Sequence, residues 1–492
     1  MAAAPYVLTL DRDRGPDEPL FVSISRALIA DIARQRLKPG DRLPGSRTLA
    51  EMLGVNRNTV HAALGELSAQ GWVEAVPARG VFVRAREDTE LPRPFTRATA
   101  LRDHVPARLG FELRTPLSPR IGRARVGALY LDGGVPDPRL FPSELLARAY
   151  RRALRQRADS VLDYGDARGE PVLRTVLADL LTRQRGLAAQ ADDVLITRGS
   201  QHAIWLAAHA LIAPGDRVGV EAWGYPPAWD ALRSAGATLV PLAVDADGVR
   251  IDAIEEALAQ GPLRALYLTP HHQYPTMVAL SAQRRLRLLA LAKQHQLAVL
   301  EDDYAHEFQY EGRPRLPLAS ADRAGVVVYI GTLSKILAPG LRIGYVVAPR
   351  ALLDSMAALR TMSDRQGDST AEAAVAELLE DGEVERHARR VRRIYRERRD
   401  VLAHELTSQL GDRVRFELPS GGMAMWIRVR GSKPEQWVER ARARGVVFRA
   451  GRAYSLEHQT HEHASVPFVR MGFTRLDAKE LVRAVAIAAE VF

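Results

Sequence analysis

A single lysine marks the place where this sequence could do covalent chemistry. Only five of the 69 basic residues in the 492-residue chain are lysines. Lys335 follows the apolar run 326–330 and two hydroxyl residues, Thr332 and Ser334. Arginine stays protonated, whereas a desolvated lysine can lose its proton and condense with an aldehyde. Because hydroxyl groups and the nearby Arg342 can hold a phosphate, this segment predicts a lysine that binds pyridoxal phosphate (PLP).

A row of acidic residues follows a second apolar run. Glu301-Asp302-Asp303-Tyr304 stands directly after the apolar residues 297–300. Ionised groups beside a core need a partner, and a protonated pyridine nitrogen is one. Either Asp302 or Asp303 could supply the carboxylate. A metal site is the alternative, but His306 and Glu307 do not complete a ligand set, so we expect no metal.

Two further segments carry groups that suit anions. Residues 197–201 end a predicted strand and open a helix with Gly199 and Ser200, where free backbone N–H groups suit a phosphate. Arg470 stands alone among apolar residues in the predicted strand 467–473. Such an arginine needs an anion, which is either a substrate carboxylate or the partner in a buried ion pair.

These groups need a scaffold that brings strand ends together. From residue 126 onward, apolar strand-like runs alternate with helix-length segments, which predicts an α/β domain with a mostly parallel sheet and a smaller C-terminal α/β part. In such sheets the site lies at the carboxyl ends of the strands. The predicted strands are 193–197, 217–220, 265–268, 297–300 and 326–330.

The first 86 residues show a different, helical pattern. Apolar spacing predicts a helix from Leu20 to Lys38, and Ser46 and Asn56 are predicted to cap two shorter helices over 47–52 and 57–69. Two short helices joined by a tight turn are a helix-turn-helix, and 72–83 reads as a two-stranded wing. The start of the third helix is rich in side chains that bond bases and phosphates, although a solvated, capped first turn would have the same composition.

This N-terminal stretch resembles the α+β winged helix-turn-helix of GntR-type regulators over about 65 residues. The motifs that carry the resemblance are Leu43-Pro44-Gly45-Ser46-Arg47, Leu49-Ala50, Asn56-Arg57-Asn58-Thr59-Val60 and Arg79-Gly80. The resemblance implies that the following residues contact double-stranded DNA: Arg47, Arg57, Asn58, Thr59 and Gly80.

Residues 126–492 resemble a fold-type I, aspartate-aminotransferase-like domain. The resemblance implies that Lys335 holds PLP as an internal aldimine, that Asp302 pairs with the pyridine nitrogen and that Tyr304 bonds the ring hydroxyl. Tyr225 would stack on the ring. Arg470, with Gly133 and Gly134, would receive an amino-acid carboxylate. The implied phosphate ligands are Ser200, Gln201, Thr332, Ser334, Arg342 and, from the partner subunit of a homodimer, Tyr164.

One segment departs from the aminotransferase pattern. Where aminotransferases carry Asn-Pro-x-Gly, this chain has His271-His272-Gln273-Tyr274-Pro275-Thr276-Met277. The usual asparagine contact to the ring hydroxyl is therefore lost, and Gln273 or His272 could replace it.

The order of the two modules is similar to that of MocR-type transcriptional regulators. We expect a winged helix over 17–86, a linker over 87–125 and an effector domain over 126–492. By this resemblance the chain would be a PLP-dependent regulator that senses PLP or its aldimine with an amino compound. The alternative is an aminotransferase that acts on an amino acid.

Composition sets outer limits on these interpretations. The chain has no cysteine, which excludes disulfides and thiol chemistry, and its net charge of +10 is compatible with a nucleic-acid partner. No apolar run is long enough for a membrane span, and we expect a cytoplasmic protein. The Arg-rich segment 385–399 has apolar residues at helical spacing, which favours a solvated amphipathic helix over a nucleic-acid surface.

Overall fold

The computed structural model of the chain describes Leu8 and residues 19–77, 79–84, 127–312, 315–456 and 466–492. The chain divides into two compact units, Met1–Gly122 and Arg123–Phe492. The predicted linker over 87–125 lies outside the described residues. Within the described ranges, no helix is both long enough and apolar enough to cross a membrane.

The N-terminal unit contains the predicted helices and wing. Its elements are α1 (Leu20–Ala33), α2 (Ser46–Leu53), α3 (Arg57–Ala69), β1 (Val73–Val76) and β2 (Gly80–Val83). The two strands pair antiparallel. The helices meet around a buried apolar core, which includes Ile24, Leu28, Leu49, Val60, Leu64 and Leu67.

Two predicted helix boundaries in this unit are wrong and one cap is confirmed. Asn56 caps α3, since its side-chain oxygen accepts a hydrogen bond from the Asn58 backbone N–H at 2.9 Å. Ser46 is the first residue of α2 and does not cap it; its hydroxyl instead accepts a hydrogen bond from Arg57 Nε at 3.3 Å. Helix α1 ends at Ala33, before Lys38, because Gln35 takes a left-handed backbone conformation that ends the helix.

The large unit contains the predicted α/β domain. Its strands are β3 (Leu129–Tyr130), β4 (Val194–Thr197), β5 (Arg217–Glu221), β6 (Thr238–Leu242), β7 (Val244–Asp245), β8 (Gly248–Val249), β9 (Ala265–Leu268), β10 (Ala298–Asp303), β11 (Val327–Thr332), β12 (Gly344–Val347), β13 (Val414–Phe416), β14 (Ala424–Val429), β15 (Val446–Val447), β16 (Arg449–Ala450) and β17 (Phe468–Gly472). The five strands predicted for the main sheet are present, and the predicted strand 467–473 is β17.

Helices pack on both sides of these strands. They are α4 (Ser143–Gln156), α5 (Ala158–Val161), α6 (Pro171–Arg185), α7 (Ser200–Leu211), α8 (Pro226–Ser234), α9 (Ile251–Ala259), α10 (Ala282–His295), α11 (Arg350–Ser363), α12 (Ser369–Glu380), α13 (Glu383–Leu410), α14 (Pro434–Ala443) and α15 (Ala478–Glu490). Separate apolar clusters bury α7 and α8, α6 and α12, and α13 and α15 against the sheets.

The main sheet has seven strands in the order β4-β12-β11-β10-β9-β5-β6. Strand β12 runs antiparallel to both of its neighbours, β11 and β4, and the other pairs are parallel. The carboxyl ends of β4, β5, β9, β10 and β11 therefore meet at one edge, where the predicted chemical groups follow.

A second, antiparallel sheet has the order β13-β14-β17-β16 and forms the smaller C-terminal part. Side chains alternate between its two faces, so Val469 and Met471 enter the apolar core while Arg470 and Phe468 lie on the opposite face. This sheet therefore places Arg470, with its cross-strand neighbours Arg449 and Trp426, on the face away from its own core.

The Arg-rich helix α13 is only partly solvated, which corrects the prediction for two of its arginines. Arg398 is buried and donates to Asp137 at 2.9 Å and to the Thr474 carbonyl at 2.6 Å. Arg399 is buried and donates to the Pro419 carbonyl at 2.7 Å. The amphipathic pattern did not reveal the burial of Arg398 because its partners, Asp137 and Thr474, lie far away in the sequence.

Candidate functional site

Lys335 stands at the carboxyl edge of the main sheet. Strand β11, which ends at Thr332, pairs in parallel with β10, so that Asp302 lies opposite Ile330. Lys335 is half-buried, and its amine donates a hydrogen bond to the Gly134 carbonyl at 2.7 Å. Burial lowers the pKa of the Lys335 amine to about 8, although the nearby Asp302 opposes this shift. A substantial fraction of the amine is therefore neutral near pH 8.

The two neighbouring aspartates face opposite sides of the sheet and have different surroundings. Asp302 Oδ2 accepts a hydrogen bond from the Tyr267 hydroxyl at 2.7 Å, whereas its buried Oδ1 has no hydrogen-bond partner among the described residues. Burial raises the pKa of Asp302 to about 6, against the effect of the Tyr267 hydrogen bond, and Lys335 is close enough to oppose that rise. Asp302 therefore offers one free carboxylate oxygen on the side of the lysine.

Asp303 is tied into a separate buried network. Its Oδ2 accepts from the Tyr329 hydroxyl at 2.8 Å and contacts His306 Nδ1 at 2.9 Å, and Arg185 lies at 3.9 Å. Burial alone would raise the pKa of Asp303, but His271, His306 and Arg185 hold it well below its usual value. This carboxylate is ionised and paired through Oδ2, while its Oδ1, like that of Asp302, has no described hydrogen-bond partner.

A group of polar atoms beside Lys335 suits a phosphate. Gly199, with φ of 77°, precedes the first residue of α7, Ser200, and a Cβ on Gly199 would lie 3.4 Å from the Arg342 guanidinium. The Ser334 hydroxyl is buried without a partner among the described residues, while its backbone N–H donates to Thr332 Oγ1 at 3.1 Å. A helix N-terminus, a guanidinium and a free hydroxyl thus converge here.

Three other predicted cofactor residues lie around the same pocket. Gln201 donates to the Pro227 carbonyl at 2.7 Å, and its Oε1 is buried without a described partner. The Tyr225 ring lies 5.2 Å from that of Tyr274. Tyr304 is buried, and burial raises its pKa, so its hydroxyl stays protonated and can donate a hydrogen bond.

Arg470 is the most isolated charge in the described part of the chain. Its side chain is fully buried, and none of its three guanidinium nitrogens has a described hydrogen-bond partner. The guanidinium carbon lies 4.3 Å from the centre of the Tyr274 ring. A Cβ on Gly133 would clash with Nη1 of Arg470, so this close approach requires glycine. The competing reading of a buried ion pair finds no partner among the described residues, and the open hydrogen-bonding positions of Arg470 suit the substrate carboxylate that the sequence predicts.

The segment that replaces the aminotransferase asparagine is held by its own contacts. The Gln273 amide donates to the carbonyls of Trp223 at 2.6 Å and Tyr274 at 2.7 Å, and its oxygen accepts from the Thr276 hydroxyl. His272 is buried, and its titratable neighbours include Asp303 and His306 on the far side of the sheet. These bonds use the functional groups of Gln273 to hold the loop.

Sequence reasoning missed one cluster of possible metal ligands. His271, Asp303 and His306 are buried, and each offers a ligand atom within 4.8 Å of the others. His306 and Asp303 were noted in the sequence, but His271 comes from another strand end and only the fold brings it close. Burial lowers the pKa of His271 to about 4, so this imidazole is neutral.

Tyr164, predicted to serve the partner subunit, lies on the surface of the large unit. The residue is 73% exposed, and the Arg365 guanidinium carbon lies 3.9 Å from its ring centre. Within its own subunit the ring is therefore held by one cation and otherwise faces outward.

The predicted DNA-contacting residues lie together at the start of α3 and nearby. Arg47, Arg57 and Asn58 are exposed, and Thr59 is half-buried. Gly80 opens β2 with φ of 119°, and Arg42 packs against it. Exposed guanidinium and amide groups around a helix start are arranged for contact with phosphates and base edges.

The residues at the carboxyl edge of the main sheet fit PLP. The unpaired oxygen of Asp302 can accept from a pyridinium N–H, and the Ser334 hydroxyl can donate to a phosphate. When bound, PLP supplies an aldehyde that captures amines and a ring that withdraws electrons from the captured group. Lys335 supplies an amine with a lowered pKa to meet it.

Comparisons with known proteins agree with this division of the chain. Residues 134–487 match the family model of aminotransferase class I and II, and residues 21–83 match that of bacterial regulatory proteins, gntR family. The "Probable rhizopine catabolism regulatory protein MocR" of Rhizobium meliloti is 32% identical over 444 residues, which cover 90% of this chain and 88% of that protein. The HTH-type transcriptional regulator TauR of Rhodobacter capsulatus is 34% identical over 85% of this chain and 86% of that protein.

A solved structure supports the same fold for the large unit. The α-aminoadipate aminotransferase LysN of Thermus thermophilus, complexed with N-(5'-phosphopyridoxyl)-L-leucine, superposes with a TM-score of 0.69. It is 30% identical, and the match covers 74% of this chain and 92% of that one.

The winged helix and the aminotransferase fold define a PLP-dependent transcription regulator. The chain belongs to the MocR-type regulators, in which a GntR module is fused to a domain of the class I and II aminotransferase family.

Proposed function

We propose that this chain is a cytoplasmic, homodimeric regulator that binds operator DNA and senses PLP, or an amino compound bound to it, in its large domain. The observation that carries the proposal is the pocket around Lys335. It combines an amine whose pKa is about 8 with a free Asp302 oxygen and an unpartnered guanidinium at Arg470.

Each group in the pocket has a proposed task. Lys335 captures the aldehyde, and Asp302 holds a proton on the pyridine nitrogen. The phosphate is held by Ser200, Gln201, Thr332, Ser334 and Arg342. Tyr225 and Tyr304 position the ring, and Arg470 with Gly134 binds the carboxylate of the amino compound.

The proposed dimer is supported by a residue whose ring faces away from its own subunit. Tyr164 is 73% exposed, and we propose that it completes the phosphate site of the partner subunit. Two winged helices would then read two half-sites, with Arg47, Arg57, Asn58, Thr59 and Gly80 at the DNA. A ligand changes DNA affinity only if it binds the two conformational states of the dimer unequally.

A DNA-binding titration tests the proposal. Fluorescence anisotropy of a labelled duplex from the region upstream of the protein's own gene is measured with apoprotein, with PLP, and with PLP plus amino acids. We expect salt-sensitive binding whose affinity changes about 5- to 150-fold with the ligand. Absence of specific binding under every condition would overturn the regulator.

The same groups could support transamination, which is the rival function. Lys335 and Arg470 stand where an aminotransferase needs an amine and a carboxylate receptor. Steady-state assays over a panel of amino donors separate the two functions. Fast turnover, together with no specific binding to operator DNA, would favour an aminotransferase function.

A further inference from the structure

Six aromatic side chains join ring to ring beside Arg470. We call them the aromatic wall: Trp223, Tyr225, Tyr274, Trp426, Tyr454 and Phe468. Trp426 stacks on Phe468 at 5.0 Å and 9° between planes, and it lies 5.8 Å from Trp223 and 6.0 Å from Tyr454. Tyr274 continues the series at 5.5 Å from Tyr454.

Backbone pairing fixes half of the aromatic wall relative to Arg470. Trp426 on β14 lies directly opposite Arg470 on β17, and cross-strand partners share one face of a sheet. Phe468 stands two residues before Arg470 and so projects from that face as well. The guanidinium and these two rings therefore belong to one surface.

The loop after β5 adds the other side of the aromatic wall. Trp223 bridges to Ser455, and the Gly224 backbone N–H donates to the Tyr454 carbonyl at 2.9 Å. Because β5 ends at the carboxyl edge of the main sheet, this pairing brings Trp223 beside Trp426 and close to the predicted cofactor residue Tyr225. The wall thus joins the PLP pocket to the second sheet.

The rings are more exposed than a purely structural cluster would be. Tyr454 is buried, but the other five rings are only partly buried. Large aromatic rings gain most when fully covered, and half-exposed rings around an unpaired buried cation are the composition of a ligand pocket. Packing alone accounts for Tyr454 but not for the rings that stay open to solvent.

The charges of the pocket favour a ligand with one anionic group, which would bind the buried Arg470. Arg449, opposite Arg470 in the sheet, is held by both carboxylate oxygens of Asp132 at 3.0 and 3.1 Å. Arg470 keeps all its hydrogen-bonding positions free of described partners. Arg428, opposite Phe468 in the sheet, is exposed to solvent, so a second carboxylate buried beside Arg470 would meet aromatic rings rather than a free buried cation.

We infer that the amino compound sensed by this chain is a monocarboxylic amino acid with an aromatic side chain, whose ring packs on the aromatic wall. This inference rests on the proposed function, since it assigns the amino group to the Lys335 pocket and the carboxylate to Arg470. Edge-to-face contacts with the partly exposed rings of Trp426 and Tyr274 favour an aromatic ring over an aliphatic chain of similar size.

The test is an absorbance titration of the full-length protein loaded with PLP. The probes are L-phenylalanine, L-tryptophan, L-leucine, L-alanine, L-aspartate, γ-aminobutyrate and taurine. We expect L-phenylalanine or L-tryptophan to bind at least about tenfold more tightly than L-aspartate and several-fold more tightly than L-leucine. Equal or tighter binding of L-aspartate, γ-aminobutyrate or taurine overturns the inference.

Variants of Trp426 show whether the wall is responsible. Trp426→Ala should weaken L-phenylalanine binding about tenfold or more and change L-alanine binding less than about threefold, while Trp426→Phe restores most of the loss. Trp205→Ala, which removes a half-buried tryptophan of α7 outside the wall, is the matched control. PLP uptake and thermal unfolding show that each variant folds. An equal loss for L-alanine and L-phenylalanine contradicts the inference.

The outcome is separable from that of the proposed function. If the protein takes up PLP and selects aromatic amino acids but binds no operator, this inference stands and the proposed regulatory function is wrong. If operator affinity responds only to an acidic amino compound or to one without a side chain, the proposed function stands and this inference is wrong.

Discussion

The two proposed binding regions place their charges in opposite environments. At the start of α3, Arg47, Arg57 and Asn58 are exposed to water. In the large unit, Asp302 and Arg470 are almost completely buried, and each has polar atoms without described partners. One region is a solvated surface, and the other is a preformed pocket.

This difference determines how each region gains affinity. Exposed cations bind DNA largely through release of counterions, so their contributions are modest, spread over several residues and sensitive to salt. Buried groups act in a medium of low dielectric, where each unpaired atom has a large effect and where pKa values shift. We therefore expect single substitutions to be more severe in the pocket than on the surface, and pH and salt to act on different regions.

The largest effect is expected from Lys335→Ala. Removal of the amine abolishes covalent PLP capture, because the pocket contains no other described lysine. Incubation with PLP followed by borohydride reduction and mass spectrometry should show a stable mass increase in the wild-type protein at residue 335 and none in the variant. Lys293→Ala, at an exposed position of α10, is the matched control and should behave like the wild-type protein. Labelling of Lys335→Ala at full extent would refute the assignment.

The two aspartates give the next largest contrast. Asp303→Asn should lower the free energy of unfolding of the apoprotein by about 1–3 kcal/mol, because the buried carboxylate loses its charge-assisted hydrogen bonds with Tyr329 and His306, while Arg185 keeps its ion pair with Glu307. Asp302→Asn should leave that stability unchanged or raise it at pH 7, since burial raises the pKa of Asp302 to about 6 and the ionised form is disfavoured. Urea denaturation measures both.

PLP affinity completes this comparison. Asp302→Asn should weaken PLP binding, because an amide does not hold the proton on the pyridine nitrogen as a carboxylate does. Equal destabilisation by the two substitutions would show that the two aspartates do not differ as described.

Sequence reasoning went further for the fold than for the site. Apolar runs predicted five parallel strands, but β6 was missed because Pro241 lies within it. Proline is tolerated there since β6 is the edge strand of the sheet. Sequence reasoning left Asp302 and Asp303 as alternatives. In the structure both belong to β10 and face opposite sides, and the positions of Tyr267, His306 and Lys335 tell which face holds the pocket. Pairings over long sequence distances, such as Arg398 with Asp137, leave no local signal.

On the DNA surface we expect a moderate loss from Arg57→Ala. Removing one contacting guanidinium should weaken operator binding by about 1–3 kcal/mol, or roughly 5- to 150-fold. The salt dependence of the binding constant should also decrease by about one unit of slope if the contact is to a phosphate. Anisotropy titrations over a range of salt concentrations measure both quantities. Arg34→Ala, at the end of α1, is the control. If Arg34→Ala weakens operator binding as much as Arg57→Ala does, only the net charge of the surface matters.

The pocket should respond to pH in a way that the surface does not. Burial lowers the pKa of Lys335 to about 8 from the ordinary 10.5, and only the neutral amine attacks an aldehyde. The rate of PLP capture should rise about tenfold per pH unit below pH 7 and level off above about pH 8.5. Stopped-flow absorbance measures the rate, and N-acetyl-lysine, whose rate keeps rising towards pH 10, corrects for ionisation of PLP itself. A protein profile parallel to that of N-acetyl-lysine would argue against a buried amine.

The smallest effects test the cap of the recognition helix and the mistaken cap of α2. Asn56→Ala removes the hydrogen bond to the Asn58 backbone and should lower the free energy of unfolding by about 1 kcal/mol. Ser46→Ala removes only an exposed contact with Arg57 and should cost less than about 0.5 kcal/mol. Because the Ser46 hydroxyl orients Arg57, we expect Ser46→Ala to affect operator affinity more than it affects the free energy of unfolding. A cost of Ser46→Ala as large as that of Asn56→Ala, measured by urea denaturation, would mean that Ser46 caps α2 after all.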